Sequence, residues 1–518
     1  MPLPSELSLP ADPRSGSRFS RVFAAAWILL ALISAAWSIA TPLGGSPDEP
    51  AHIIKAAAVA RGELIGKTTS NGQQVRVPAY VAYEQTCFAF HPNVSAACAT
   101  TFAGAPDRLV NASTSAGLYN PLYYALVGWP SLIFTNSAGI FAMRIVSGIL
   151  VSLFLAFALG LIATWRRPTL PVIGFAVAIT PMTLFLSGAV NPNSLEISAT
   201  LAAFVGILTI TREGNPRRLG AVSALVFVSA SIAANMRGLS LLWLAVAILS
   251  PFVLLDRRRI TQLLKTKAVQ RAIVGTAIAC AGAVAWLLRT DSLGPSSGST
   301  GPVAHVPGMG DSAASGFIWT LSETLDYARG VVGDFGWLDT PAPDIVNVIW
   351  SLFVGGLLVF GLVFLRGRNL LLAAILFAAV VLLPAILQGI YIHSGGVIWQ
   401  GRYILPLFVC LVLALGSSLG QCPQLRGPAL RRLLTILVSL WAIAQFAAFA
   451  TTLKRYAVGL DSGWLTILHP RWSPPGGIVV SLGTLAIVLV ACAFCTVLMI
   501  RRVPEELEGT ESLPPHEA

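Results

Sequence analysis

Charge is scarce in this chain. Only 11% of its 518 residues are Asp, Glu, Lys or Arg, against 55% apolar, a balance that excludes an ordinary soluble domain of this length. Lysine is rarer still, with five residues among 34 basic ones, the arginine bias of a GC-rich genome. Cysteine is limited to seven, and nowhere do the thiols fall at metal-ligand spacing. Neither a metal nor a cofactor is expected. No soluble domain and no internal repeat is visible.

What is abundant is apolar sequence, in runs of about 20 residues, the length that crosses ~30 Å of hydrocarbon as a helix. Lipid supplies no hydrogen-bond partners, so such runs must be helical. The composition therefore predicts an all-α polytopic membrane protein. Spans are expected near 22–41, 139–163, 169–188, 195–211, 219–236, 239–255, 271–289, 345–365, 370–390, 403–420, 432–452 and 476–500. Arg14, Arg18 and Arg21 precede the first run, and short basic connectors recur at Arg166-Arg167, Arg212 with Arg217-Arg218, Asp256 to Lys267, Arg366 with Arg368, Arg426 with Arg431-Arg432, and Arg501-Arg502. The positive-inside rule puts these in the cytoplasm. The formal charge of +11 is then orientation bias, with no nucleic-acid partner implied.

This topology gives a cytoplasmic tail over 1–21, a membrane domain over 22–500 and a disordered acidic tail over 501–518. Outer loops fall at about 42–138, 290–344, 391–402 and 453–475. The first run is read as a retained helix, being longer than a signal-peptide core. Pro121 to Phe134 is apolar but short, so it is expected to lie in the interface, with Trp129-Pro130 bending it. Gly294 to Pro302 is expected to be flexible. Cys87 and Cys98 share the first outer loop, an oxidising location, and a disulfide between them is expected.

Most acidic residues and five of six histidines fall in the outer loops. Ionisable groups at membrane depth are costly and usually functional. The densest group is Ser46-Pro47-Asp48-Glu49-Pro50-Ala51-His52, directly after the first span. Part of it reads as a helix start, with an acidic cap, Pro in the first turn and an Ala-rich helix to about Arg61. Capping accounts for one carboxylate. Two carboxylates and an imidazole one turn on suggest chemistry, with Glu49 capping and Asp48 facing a cleft.

A first helix followed by this acidic pair resembles the GT-C superfamily of membrane glycosyltransferases, which includes the aminoarabinose and protein O-mannosyl transferases. Tyr119-Asn120-Pro121-Leu122-Tyr123-Tyr124 resembles that superfamily's juxtamembrane segment, with Asn120 standing where His is common. Phe141-Ala142-Met143-Arg144 resembles the entry to its second span. A closer resemblance is to a bacterial multi-pass family known as a domain of unknown function and similar to GT-C enzymes. It rests on Asn191-Pro192-Asn193-Ser194, Phe335-Gly336-Trp337-Leu338-Asp339, Gln400-Gly401-Arg402-Tyr403-Ile404-Leu405-Pro406 and Trp472-Ser473-Pro474-Pro475, and covers about 22 to 500.

The resemblance implies a GT-C-like bundle in a bacterial inner membrane. Its activity would be transfer, with inversion, of a sugar from a polyprenyl-phosphate-linked donor to a glycan, lipid or protein acceptor of the cell envelope. In that reading Asp48 is the general base and Glu49 its helper or a helix cap. Arg402 binds the donor phosphate, with His393 and Arg237 as further donors; the plainer alternatives are a snorkelling arginine, a surface histidine and a helix-end anchor. His52, Tyr119, Asn191, Glu196, Trp337 and Asp339 form the substrate-binding set. Glu196 has the alternative of pairing with Arg144 or Arg237, and Trp337 that of an aromatic belt residue. Two rivals stand beside it: a flippase or transporter of polyprenyl-linked glycans, and an O-antigen-type polymerase or ligase. A non-catalytic scaffold is the residual option.

Overall fold

The computed structural model describes residues 14–69, 72–83, 85–214, 216–292 and 306–501. The expected flexible stretch Gly294–Pro302 and most of the two tails lie outside these residues. Among the described residues nine helices are long and apolar enough to cross a membrane. A pair bent by 65°, Thr169–Ala178 and Pro181–Ser187, brings the number to ten when taken as one broken span, and two shorter apolar segments, Arg218–Ala234 and Ser240–Leu254, are also present. Every span expected from the sequence is thus helical. The first helix starts earlier than expected, at Arg14.

Burial sorts these helices. Pro192–Arg212 and Leu405–Leu419 are almost wholly enclosed by the others, whereas Lys267–Thr290 is nearly bare, with Ile278 and Leu288 exposed. An apolar helix with an apolar exposed face has lipid as its solvent.

The two ends of the bundle are joined differently. At the basic end, arginines tie connector to connector: Arg167 to the Gln421 carbonyl, Arg212 to Ser418 and Asn369, and Arg368 to the Leu254 carbonyl. At the other end, long loops fold over one another. The first holds the helix Glu49–Ala60, a three-stranded antiparallel sheet (Lys67–Thr69, Gly72–Pro78, Leu109–Thr114), and the helix Leu122–Gly128 continuing as a 3-10 turn over Trp129–Leu132. The sheet is an addition to the helical expectation. Its central strand buries Val75 and Val77 and exposes Arg76, the alternation of a one-sided sheet. Cys87 and Cys98 are bonded, with Cα atoms 6.1 Å apart.

The second long loop contributes the helices Ala313–Ser322 and Thr324–Gly333 and a small hairpin, Asp334–Phe335 against Thr340–Pro341. Gly336 turns this hairpin at φ +64°, and a Cβ there would meet Asp339 Oδ1 at 2.3 Å. Only glycine fits that bend.

Candidate active site

Two loop ends meet at the mouth of the bundle. The first is Ser46 to Glu49, fixed from three sides. Asn191 caps its own helix by accepting from the Asn193 N–H and donates Nδ2 to the Pro47 carbonyl at 3.3 Å. Tyr456 donates to the Gly45 carbonyl, and Trp337 Nε1 donates to the Gly44 carbonyl at 2.9 Å. The second is the 3-10 turn Gly401–Ile404. A Cβ on Gly401 would lie 2.2 Å from the Tyr327 carbonyl oxygen, so a bare glycine lets this turn seat against the helix Thr324–Gly333.

Asp48 and Arg402 come together there. Arg402 is buried; its Nε donates to Gln400 Oε1 at 2.7 Å and its Nη2 to Asp48 Oδ2 at 2.5 Å. Asp48 occupies the N-cap position of the Glu49–Ala60 helix in the left-handed conformation, φ 63°, but makes no side-chain capping bond. Its side chain keeps 47% of its exposure. Left-handed backbone at a non-glycine residue costs about 1–3 kcal/mol and is held only by its surroundings. Burial would raise the Asp48 pKa, but the guanidiniums of Arg402 and Arg237 outweigh it and hold the carboxyl below its ordinary value.

A second guanidinium completes the cluster. Arg237 stacks on the Tyr403 ring at 4.6 Å, and Arg402 lies over the same ring at 5.3 Å, each a cation–π contact. The Tyr119 hydroxyl lies within reach of the Arg237 charge. Among the described residues no carboxylate forms an ion pair with Arg237. His52 is enclosed behind Asp48, its Nδ1 2.9 Å from the Tyr124 hydroxyl and its ring 5.9 Å from that of Tyr119. Burial pushes the imidazole down to about 3, so His52 is neutral at physiological pH.

Other candidates have different places. Glu49 is fully buried and bonded on both oxygens, to Arg144 Nε at 2.7 Å, Arg144 Nη2 at 2.5 Å and the Val190 N–H at 3.0 Å. Arg144 adds bonds to the carbonyls of Ser38, Thr41 and Pro42. Glu49 therefore anchors the loop and faces no open space, a correction to its expected place beside Asp48. Glu196 pairs with neither Arg144 nor Arg237; it accepts from Ser240 Oγ at 2.6 Å and Asn193 Nδ2 at 3.0 Å. Asp339 is occupied too, by Arg455 Nη2 at 2.6 Å, Thr340 Oγ1 and the Trp337 N–H. It holds a turn where an acceptor or sugar contact was expected. Trp337 packs near Phe90, lining the loop surface. His393 is exposed and donates Nδ1–H to the Gly310 carbonyl at 3.2 Å, without contact to Arg402 or Asp48. It sits at the last turn of its helix.

Several residues here carried no clear sequence signal. Arg455, fully buried, donates to the carbonyls of Phe88, His91 and Val94 and so clamps the disulfide lobe. Lys55 is buried with Nζ on the carbonyls of Leu64 and Gly117. Both sit in stretches that read as apolar. Asp334 is half-buried beside the cluster; burial and Asp339 push its pKa up to about 6 against the pull of Arg402. No group of His, Cys, Asp and Glu suited to a metal ion occurs among the described residues.

No curated protein matches the chain. Among solved structures, ArnT from Cupriavidus metallidurans bound to undecaprenyl phosphate is similar at 12% identity, covering 95% of this chain and 78% of that one with a TM-score of 0.43. Residues 30–411 match the family described as predicted membrane protein (DUF2142). That match takes in most of the chain, both mouth loops and Arg402, and the protein belongs to this family of multi-pass membrane proteins.

Proposed function

We propose that this protein is a GT-C-type glycosyltransferase of the bacterial inner membrane. It moves a sugar from a polyprenyl-phosphate-linked donor to an acceptor on the extracytoplasmic face. The observation that carries the reading is the Asp48–Arg402 contact: a half-open carboxylate, in strained backbone and free of capping duty, against a buried guanidinium. Left-handed backbone held at an uncapped acidic residue supports a functional role for it.

The chemistry needs those two charges in one place. The acceptor hydroxyl oxygen bonds to the anomeric carbon while its proton passes to Asp48. The bond from that carbon to the phosphate oxygen breaks on the opposite side, and its electron pair leaves with the polyprenyl phosphate. Arg402 and Arg237 are the groups suited to that phosphate, since guanidinium donors give the strongest charge-assisted hydrogen bonds to it. With no donor bound, Asp48 neutralises Arg402. An arriving phosphate takes over the guanidinium and frees the carboxylate for the acceptor. Its depressed pKa keeps Asp48 ionised at neutral pH, as a base must be. The hydroxyl of the partly exposed Tyr119 is a donor suited to a sugar hydroxyl without adding charge, and neutral His52 packs beside its ring.

A transporter would carry charge along a path through the bundle. Here the buried carboxylates and guanidiniums of the mouth sit within two turns of helix ends, which favours chemistry at one face. Membranes containing the protein, supplied with labelled polyprenyl-phosphate sugars, are expected to yield labelled acceptor. Labelled lipid crossing the bilayer with no sugar transferred from any donor would replace this reading with the transporter.

A further inference from the structure

The opposite end of the molecule has a feature the mouth does not use. A cavity of about 490 Å³ lies between the first helix, Thr169–Ala178, Pro428–Val458 and Ile478–Arg501, within the ~300–1,000 Å³ of sites that enclose small ligands. Its wall is apolar almost throughout, as at Leu30 and Phe175, while Arg18 and Arg21 line one end. Arg21 and Ala25 are exposed, so this side is open. Along the first helix the lining runs from Arg18 to Leu30, a rise of about 18 Å at 1.5 Å per residue, slightly more than half of a ~30 Å hydrocarbon core. The cavity is therefore one leaflet deep.

A further observation describes what fits it. The arginines stand at the basic end of the bundle, which the positive-inside rule makes cytoplasmic, where a lipid phosphate would sit while its chain follows the apolar wall.

We infer that this cavity is a binding site for one anionic glycerophospholipid of the cytoplasmic leaflet, headgroup on Arg18 and Arg21 and an acyl chain along the first helix. The site is separate from the mouth and independent of the reaction proposed there.

Native mass spectrometry of the full-length protein, exchanged into phosphatidylglycerol or phosphatidylcholine, tests it. One phosphatidylglycerol is expected to be retained in preference to phosphatidylcholine, by about fivefold per arginine engaged. Arg18→Gln with Arg21→Gln should bring the two lipids within about twofold. Ala25→Trp, which fills the open side, should displace the lipid while the melting temperature holds. Should Ala25→Trp not fold, the arginine variant decides alone. Equal retention of both lipids by the wild type, an unchanged preference after loss of both arginines, or polyprenyl phosphate outcompeting phosphatidylglycerol would overturn the inference.

Discussion

Asp48 and Glu49 are neighbours with the same chemistry and opposite fates. Glu49 and Arg144 are both at 0% exposure, and Asp339 with Arg455 is nearly as deep, at 6% and 0%. In each of these pairs both carboxylate oxygens are bonded and the arginine also collects carbonyls from a loop. Asp48 is 47% exposed, and among the described residues Arg402 is its one side-chain hydrogen-bond partner. The first two pairs are architecture: they tie the 42–48 loop and the disulfide lobe to the bundle. In the third the carboxylate is half in water while its arginine is buried, so a ligand phosphate that takes the carboxylate's place on Arg402 keeps that buried charge paired. Position on the helix decides this. Left-handed backbone at Asp48 swings its side chain off the helix axis, while Glu49, one residue on, points inward to Arg144.

The comparison breaks if the buried pairs are dispensable. Glu49→Gln or Arg144→Met leaves a buried charge without its partner and is expected to cost about 3–5 kcal/mol. Thermal unfolding in detergent reads this, and a change under about 1 kcal/mol would remove the distinction between the pairs. Cys87→Ser with Cys98→Ser opens a loop of separation 11. It should cost about 3 kcal/mol by chain entropy, loosening the carbonyls that receive Arg455; the same unfolding assay without reductant checks it. Arg402→Gln is expected to weaken donor binding by about 1.5–3 kcal/mol, roughly ten- to hundredfold in KM, with a melting temperature close to wild type. A collapse of the fold instead would make Arg402 architectural as well.

The smallest effect concerns Asp334. Its folded pKa of about 6 stands above the ordinary value of about 3.9. The folded state therefore holds the proton more tightly, and stability falls as pH rises between those two values. Asp334→Asn should melt like wild type near pH 4, gain on it up to pH 6, and keep a constant advantage above. A pH-independent difference would show that the carboxyl is not perturbed in this way.

How much of this was legible follows from what each signal depends on. The membrane spans were, because hydropathy over about 20 residues depends on no partner. The helix from Glu49 and the break at Trp129-Pro130 were, because Pro and capping chemistry act locally. The meeting of Asp48 with Arg402 was suggested by both lying at the same end of the bundle. Which carboxylates stay open was not. Glu49, Glu196 and Asp339 look as functional as Asp48 in one dimension, and only packing shows them spent on Arg144, Ser240 with Asn193, and Arg455. His393 lies on the expected side of the bundle, but its ring bonds to the Gly310 carbonyl instead of Arg402 or Asp48. The strands were hidden because each is short and one is mostly polar. Lys55 was hidden because a buried cation bonded only to carbonyls leaves no partner residue in the sequence, and Arg455 because its partner Asp339 lies 116 residues away.

The central claim is that Asp48 acts on the acceptor while Glu49 holds the loop. Initial rates of sugar transfer from a polyprenyl-phosphate donor should be compared between wild type and Asp48→Asn at matched protein amounts, with melting temperatures of both. The account predicts a loss of about 10²–10⁴-fold in kcat with the melting temperature nearly unchanged. Full activity in a folded Asp48→Asn protein would contradict it.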